Sequence, residues 1–409
     1  MAGIKLLHAA DLHLGSPFKG LASEGELPPA FADCTYRAFT RLIDLALAEK
    51  VDGVLLAGDL YDQRDRSLRA RLHLIGELRR LDAAGIRSFL VHGNHDPLDA
   101  DPGGLALPAS VKVFGAGWEL VDAGAYCVQG MSFPTTEVKE NLATHFGRRG
   151  DKPTVGLLHC NLGGRSEHSN YAPCALEDLA RADLDYWALG HVHTRAQFPL
   201  STRSLAAYPG NLQGRHVNET GERGALLVTL DPERVQAPVT RFVALDTIRW
   251  HWLEVRIDAD ASLDALLDRS VAAIRKAAVG VEGHVVRLEL TGRGVLHEHF
   301  DSAQKRGEFA SALRLRLVGP VLLESLRDAT AGAWELETLI ASGGLVSEVA
   351  LRLRATPGMA ELDRLWADAG LEALDAAMLE LGLSPLRPGA PALLAEAATR
   401  AVDVLEADR

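Results

Sequence analysis

Five short segments hold the side chains of this chain that could do chemistry together: Asp11-Leu12-His13, Gly58-Asp59-Leu60-Tyr61-Asp62, Gly93-Asn94-His95-Asp96, His159, and Gly190-His191-Val192-His193. Their donors are carboxylate and amide oxygens and imidazole nitrogens, and no thiolate need be invoked. A mixed oxygen and imidazole shell suits borderline divalent ions such as Mn, Fe or Zn, whereas an all-oxygen shell points to Mg or Ca. Phosphoryl chemistry asks for such a set. A phosphodiester repels hydroxide, and two cations about 3.5–4 Å apart neutralise it, acidify a bridging water and hold the attacking and leaving oxygens in line. One carboxylate must then serve both ions.

Taken singly, each segment is a weak signal. Asp-x-His and His-x-His arise often by chance, and Gly-Asn-His-Asp alone reads as an Asn-containing turn. The competing reading for each is a capped turn or a hydrogen-bonded core histidine. The set is stronger than its members, because each segment falls where a predicted strand ends, and layered α/β folds expose functional side chains there. The glycines before Asp59, Asn94 and His191 are expected to let the backbone turn sharply without a Cβ penalty.

The elements that must position these segments are legible as apolar runs. Strands are predicted at Ile4–Ala9, Gly53–Ala57, Arg87–Val91, Val155–Leu158, Tyr186–Leu189 and Ala225–Leu230. Between them, Phe39, Leu42, Ile43 and Ala46 repeat at helical spacing, as do Leu68, Leu72, Ile75 and Leu78. Alternating strands and helices followed by hairpin-like strands predict an α/β layered sandwich rather than a purely parallel sheet. A second unit starts near Thr247, where WHWLEVRID and HVVRLELTG alternate as strands around a helical stripe at 262–277. Beyond Thr330 the chain reads as helical, with breaks at Pro357-Gly358 and at 384–391. The expected organisation is a main domain at 1–245, a smaller α+β domain at 246–330 and a helical region at 331–409.

Bulk properties narrow the classes. A length of 409 residues fits two or three domains with ample core. Cys34, Cys127, Cys160 and Cys174 are spread without a Cys-x-x-Cys pair, so neither a zinc ribbon nor a disulfide framework is suggested, and a reducing cytoplasm is the expected compartment. No run approaches the roughly 20 apolar residues of a membrane span. The net charge of −12 argues at first against a nucleic-acid ligand. Residues 356–409 carry ten Asp/Glu against four Arg, however, so this tail supplies half of the excess. Carboxylates facing metal ions also count with inverted local sign.

The order DLH, GDLYD, GNHD, LLH, GHVH resembles the calcineurin-like metallophosphoesterase superfamily. Within it, NYAPCALEDL, DYWALGHVH and YPGNLQGRHVNETGERG resemble DNA-repair exonucleases of the SbcD and YhaO type, and the match runs from residue 4 to about 230. The protein-phosphatase branch differs in having GDxVDRG and GNHE. The resemblance implies a four-layer α/β/β/α sandwich with a smaller α+β cap domain and a helical C-terminal tail. It implies one ion held by Asp11, His13, Asp59 and His193 and a second by Asp59, Asn94, His159 and His191, with Asp59 as the bridge and manganese as the metal. His95 is similar to the family histidine that stabilises or protonates the leaving oxygen, so His95 and Asp59 are the catalytic candidates. One departure stands out: relatives closest to the eukaryotic repair nuclease carry a second histidine directly after GDLF, where this chain has Asp62. That leaves the balance of exonuclease and endonuclease action open, and Asp62 is read either as a substrate contact or as a hydrogen-bond partner of a ligand histidine.

Other residues have two readings. His92, His168 and His216 lie near the motifs and read as supporting or surface groups. Arg64, Arg66, Arg69 and Arg71 do not share one helix face, so a solvated surface competes with phosphate contact. Among Arg203, Arg215 and Arg223, Arg215 is the best candidate phosphate clamp. Trp250 and Trp252 share a strand face; core packing is the default, with stacking on an unpaired base as the alternative. The acidic tail is either an ordinary amphipathic subdomain or, by resemblance, a helix that docks onto an SMC-like ABC ATPase of the SbcC/YhaN type. The expected function is a metal-dependent DNA exonuclease in DNA repair, with DNA as partner, a homodimer allowed by resemblance and no membrane association. The alternatives are a small-molecule phosphodiesterase or phosphatase on the same dinuclear site, and a nearly inert adaptor subunit of such an ATPase.

Overall fold

The computed structural model describes residues 3–18, 21, 29–62, 67–100, 106–163, 171–258, 262–333, 336–341, 343, 347 and 351. Arg64, Arg66, His168 and the tail beyond residue 351, with its proposed docking helices, lie outside the described residues. Two six-stranded sheets dominate. The first contains β1 (Ile4–Ala9), β2 (Gly53–Ala57), β3 (Arg87–Val91) and β4 (Val111–Val113), all parallel, and is extended on the other side of β1 by antiparallel strands from later in the chain. The second contains β5 (Glu119–Asp122), β6 (Cys127–Met131), β7 (Thr154–His159), β8 (Tyr186–Gly190), β9 (Ala196–Ser201) and β10 (Ser204–Tyr208), in the order β5-β6-β7-β8-β10-β9. The strands that complete the first sheet are β11 (Gly224–Leu230) and β12 (Val239–Ala244), giving β12-β11-β1-β2-β3-β4.

The central strands read as unbroken apolar runs because both of their faces are covered. Leu6, Leu55, Phe89, Leu226 and Val228 point inward against Val155, Leu157, Tyr186 and Ala188 of the other sheet. Their neighbours Leu7, Leu56, Leu90 and Leu227 point outward beneath Phe39, Leu42 and Ile43 of a long helix, Cys34–Glu49, and Leu74 and Leu78 of another, Leu68–Ala83. On the far side, Leu158, Trp187, Leu189 and Tyr208 pack under Leu179 of the short helix Leu176–Arg181. The layers are therefore helix, sheet, sheet, helix, as the resemblance implied. A polar tie crosses the sheet interface, where His8 Nδ1 and the Tyr186 hydroxyl are 2.8 Å apart, both groups buried. Burial holds His8 neutral, with its pKa lowered to about 3.

All six predicted strands are present to within one residue at each end. The short or half-exposed strands β4, β5, β9 and β12 escape pattern reading, and so do β6 and β10. The helical stripe drawn at Leu68, Leu72, Ile75 and Leu78 is corrected: Leu68 and Leu72 are exposed. The buried face is Ala70, Leu74, Ile75, Leu78 and Leu81. Ser67 caps this helix by accepting from the Ala70 amide.

Later in the chain, β13 (Ile248–Arg256), β14 (Gly283–Arg293) and β15 (Val321–Ala331) form a three-stranded sheet with β14 central. The helices Leu263–Ala277 and Ala303–Arg316 lie between the strands in sequence. Contacts divide the chain into two units. One comprises 1–253, 273–287 and 314–325, and the other 254–272, 288–313 and 326–409. Within the second, Ile257 donates to the Thr291 carbonyl at 2.8 Å, and Phe300 meets Phe309 edge to face at 5.2 Å. Among the described residues, no helix is long and apolar enough to cross a membrane.

Leu226 is fully buried between the sheets. Leu226→Ala is expected to cost about 2–5 kcal/mol, the range for deleting a buried leucine side chain. Urea denaturation of the two proteins measures it, and a loss under 1 kcal/mol would mean that the inter-sheet layer tolerates a cavity.

Candidate metal centre

The motif loops leave the strand ends side by side. The Asp11 amide donates to the Gly58 carbonyl at 3.1 Å, His13 to Asp59 at 3.0 Å and Leu14 to Leu60 at 2.9 Å, so the first two loops prolong the β1–β2 ladder beyond the strands. Asp96 is fully buried and ties the second loop to the third. Its carboxylate accepts from the amides of Asp59 at 3.2 Å, Leu60 at 2.9 Å and Gly93 at 2.8 Å. The fourth and fifth loops follow the neighbouring strands β7 and β8. The His191 amide donates to the Asp11 carboxylate at 3.1 Å across the sheet interface.

The expected side chains converge. Asp59 Oδ2 lies 3.8 Å from His13 Nε2 and 3.5 Å from His159 Nε2, and Asp11 Oδ1 lies 3.9 Å from His193 Nε2. Asn94 Oδ1 lies 3.1 Å from His159 Nε2 and 3.2 Å from His191 Nδ1, while His13 Nε2 and His193 Nε2 are 3.4 Å apart. Among the described residues, two of the three groups whose donor atoms are close enough to share an ion lie here: Asp11 with His13 and His193, and Asp11 with Asp59 and His159.

Outer hydrogen bonds decide which ring nitrogen faces inward. His13 gives Nδ1 to Asp62 at 3.0 Å, His193 gives Nδ1 to Glu219 at 2.7 Å, and His159 gives Nδ1–H to the Ala57 carbonyl at 2.8 Å. Each imidazole is thereby set to present an Nε2 lone pair to the cluster. A third group that could hold an ion, His13 with Asp62 and His95, uses the outward nitrogen of His13 and is explained by this orienting role.

Electrostatics fit cations at this place. Burial raises the Asp11 carboxyl well above its usual range, and the neighbouring Asp59 charge adds to the effect. Burial also raises Asp59. Burial lowers His13 well below its ordinary value and lowers His159 to about 4. Two repelling carboxylates among imidazoles kept neutral are a donor set that divalent cations would stabilise.

Asp62 is the second focus. Its carboxylate accepts from Arg215 Nη1 at 2.9 Å and meets His95 Nδ1 at 2.6 Å, His13 and the Ser16 hydroxyl. Burial opposes ionisation there, yet the hydrogen bonds from His13 and His95 and the Arg215 charge hold Asp62 well below the carboxylate range. The hydrogen bond to Asp62 raises His95. The His95 side chain keeps 44% of its surface exposed, and its backbone amide donates to Asp59 Oδ1 at 2.9 Å. Arg215, read from sequence as a phosphate clamp, is only 4% exposed. Its amide donates to Glu219 Oε2 at 2.6 Å.

The other sequence candidates divide. His92 is buried with Nδ1 3.3 Å from Asp96. His216 lines a pocket of about 860 Å³ together with His193, Arg215 and Arg223. Arg203 pairs with Asp183, and Arg69 pairs with Asp33 and lies over the Tyr36 ring, so neither is drawn into the cluster. Two contributors were missed. Glu219 sits in a stretch without metal-ligand spacing, and Asp96 was part of a motif but had no assigned task.

The reading of the three glycines is also corrected. Gly58 does adopt φ +90, but Gly93 and Gly190 have no positive φ. Space is what they supply: a Cβ on Gly93 would meet the His159 ring at 2.8 Å, and one on Gly190 would strike the Ala57 carbonyl. Positive φ falls instead on the functional residues Asp11, His13, Asp59 and His191.

A layered sandwich with oxygen and imidazole donors gathered at its strand ends is the build of a metal-dependent phosphoester hydrolase. Residues 4–195 match the calcineurin-like phosphoesterase family, and residues 250–331 match the middle domain of the metallophosphoesterase YhaO. The chain is 31% identical over 374 residues to the uncharacterized metallophosphoesterase YhaO of Bacillus subtilis, covering 85% of this chain and 88% of the relative. It is 30% identical over 223 residues to the DNA double-strand break repair protein Mre11 of Sulfurisphaera tokodaii, covering 52% of this chain and 54% of that one. The Mre11 of Aeropyrum pernix is 28% identical over 292 residues, with 66% and 68% covered. The chain therefore belongs to the calcineurin-like metallophosphoesterases, with a YhaO-type middle domain and homology to Mre11-type repair nucleases. That family uses a dinuclear metal site.

Asp96→Ala is expected to lower affinity for manganese by about 10–100-fold, as loss of a supporting hydrogen-bond partner does. Calorimetric titration reads it, with Asp96→Asn falling between variant and parent. Equal affinity in all three would show that the three amides need no common acceptor.

Proposed function

We propose that this metallophosphoesterase is a DNA exonuclease of the repair type, with manganese as its metal. The observation that carries the reading is the position of Asp59 Oδ2, within 4 Å of both His13 Nε2 and His159 Nε2 and buried beside Asp11. The names of the Mre11 relatives, double-strand break repair proteins, support DNA as the substrate.

In this reading Asp11, His13, Asp59 and His193 would hold one ion and Asp59, Asn94, His159 and His191 the other. When bound, the ions supply charge neutralisation at the phosphodiester and Lewis acidity toward water. The chain does the rest. Asp59 shares its carboxylate between the two sets, while the His95 amide fixes its other oxygen. Asp62 orients His13 and His95 from one oxygen, so a ligand and the group facing substrate move as a unit. His95 delivers a proton to the departing sugar oxygen as the phosphorus–oxygen bond breaks, a task suited to a half-exposed imidazole held through Nδ1. Arg215 and Asp62 act by position, keeping the His95 imidazole aimed, rather than by gripping phosphate in solvent.

The test is digestion of end-labelled linear DNA with manganese. The parent chain is expected to release nucleotides, His95→Ala to slow release by about 10²–10⁴-fold, the usual contribution of one acid–base group, and chelation with EDTA to abolish it. Intact DNA alongside rapid hydrolysis of bis-p-nitrophenyl phosphate would favour a small-molecule phosphodiesterase. Asp59→Ala that loses metal and retains its cellular role would favour an adaptor.

A further inference from the structure

We infer that the pocket beside His193 is a nucleobase subsite in which Trp252 is the stacking platform; the inference rests on the phosphodiesterase reading and gives it a substrate class. The pocket has a volume of about 860 Å³, within the range of sites that enclose a small organic ligand. Its wall includes His193, Arg215, Arg223 and Trp252, with Asn218 and Thr220 as polar groups. His193 is also a member of the Asp11–His13–His193 group, so the pocket adjoins the proposed metal centre through this residue.

The two tryptophans of β13 are on one face of the strand by alternation, but their surroundings differ. Trp250 is 1% exposed, donates from Nε1 to the Gly214 carbonyl at 3.1 Å and packs on Phe18. It is core. Trp252 is 41% exposed and lines the pocket. The Arg287 guanidinium lies over its ring, 5.3 Å from the centroid, and is itself clamped by both Glu324 oxygens at 2.6 and 2.9 Å. A cation fixed against an indole orients the ring.

The lining suits a nucleotide rather than a generic anion. Arg223 is anchored to the His193 carbonyl and to Asn211 Oδ1, which holds its guanidinium at the pocket wall. Glu219 is engaged by His193 and Arg215. Arg223 is thus the group matched to phosphate and the indole the group matched to a base. Stacking is indifferent to base identity, because each base presents a π face. The subsite would therefore hold a terminal unpaired nucleotide of any sequence.

The experiment is equilibrium binding of dAMP, dTMP and base-free 2-deoxyribose 5-phosphate to the full chain with manganese, by calorimetry, for the parent, Trp252→Phe and Trp252→Ala. In the parent, both nucleotides are expected to bind about ten-fold tighter than the sugar phosphate, the lower part of the range for one stacked base. Trp252→Phe keeps most of that margin and Trp252→Ala loses it, while near-ultraviolet circular dichroism reports that each variant is folded. Should Trp252→Ala not fold, Trp252→Leu takes its place. Equal binding of nucleotide and sugar phosphate by the parent, or a full margin in the alanine or leucine variant, overturns the subsite. Digestion of linear DNA by the parent is read in parallel. Nucleotide release without a base-dependent margin sinks the subsite alone, and a margin without release supports the subsite and sinks the nuclease.

Discussion

Asp11 and Asp59 are buried almost completely, next to each other, among histidines that burial keeps neutral. Such an arrangement is unfavourable in an apolar interior without compensating charge, and the surrounding construction can be read as the means of enforcing it. Main-chain bonds from the first loop to the second extend a parallel ladder past its strands, so the two aspartates cannot separate without breaking backbone pairing. Asp96 holds the turn from below through three amides.

Four of the eight non-glycine residues with positive φ among the described residues fall in the same place. Asp11, His13, Asp59 and His191 all have positive φ, a region non-glycine residues visit at a cost of order 1–3 kcal/mol each. Asp and His tolerate the left-handed region better than most residues, which makes these types doubly suited to the positions. Packing of the strands over both faces supplies the rigidity that keeps such conformations in place. The fold itself directs the donor atoms toward one another. The nearby glycines serve crowding more than turning, since the His159 ring and the Ala57 carbonyl occupy the volume a Cβ would need.

Around this centre, charge is handed outward in pairs. Asp62 joins His13 to His95 and Arg215, and Glu219 joins His193 to the Arg215 amide. Asp62 and Glu219 therefore connect two of the inner histidines to the wall of the adjoining pocket through one arginine.

The sequence alone determined the residue types at the strand ends, the six central strands and the layered architecture. These rest on local signals: apolar runs at strand length, glycines before Asp59, Asn94 and His191, and side chains able to bind metal in a recognisable order. Tertiary structure decided how those side chains face. Which nitrogen of His13, His193 or His159 points inward depends on partners 49, 26 and 102 residues away in the chain. Burial of Arg215, exposure of Trp252 beside a buried Trp250, and the work of Asp96 and Glu219 arise from contacts between loops that have no common periodicity. A period of two or 3.6 residues reports which face of an element is apolar, but it carries no information about what another loop brings to that face.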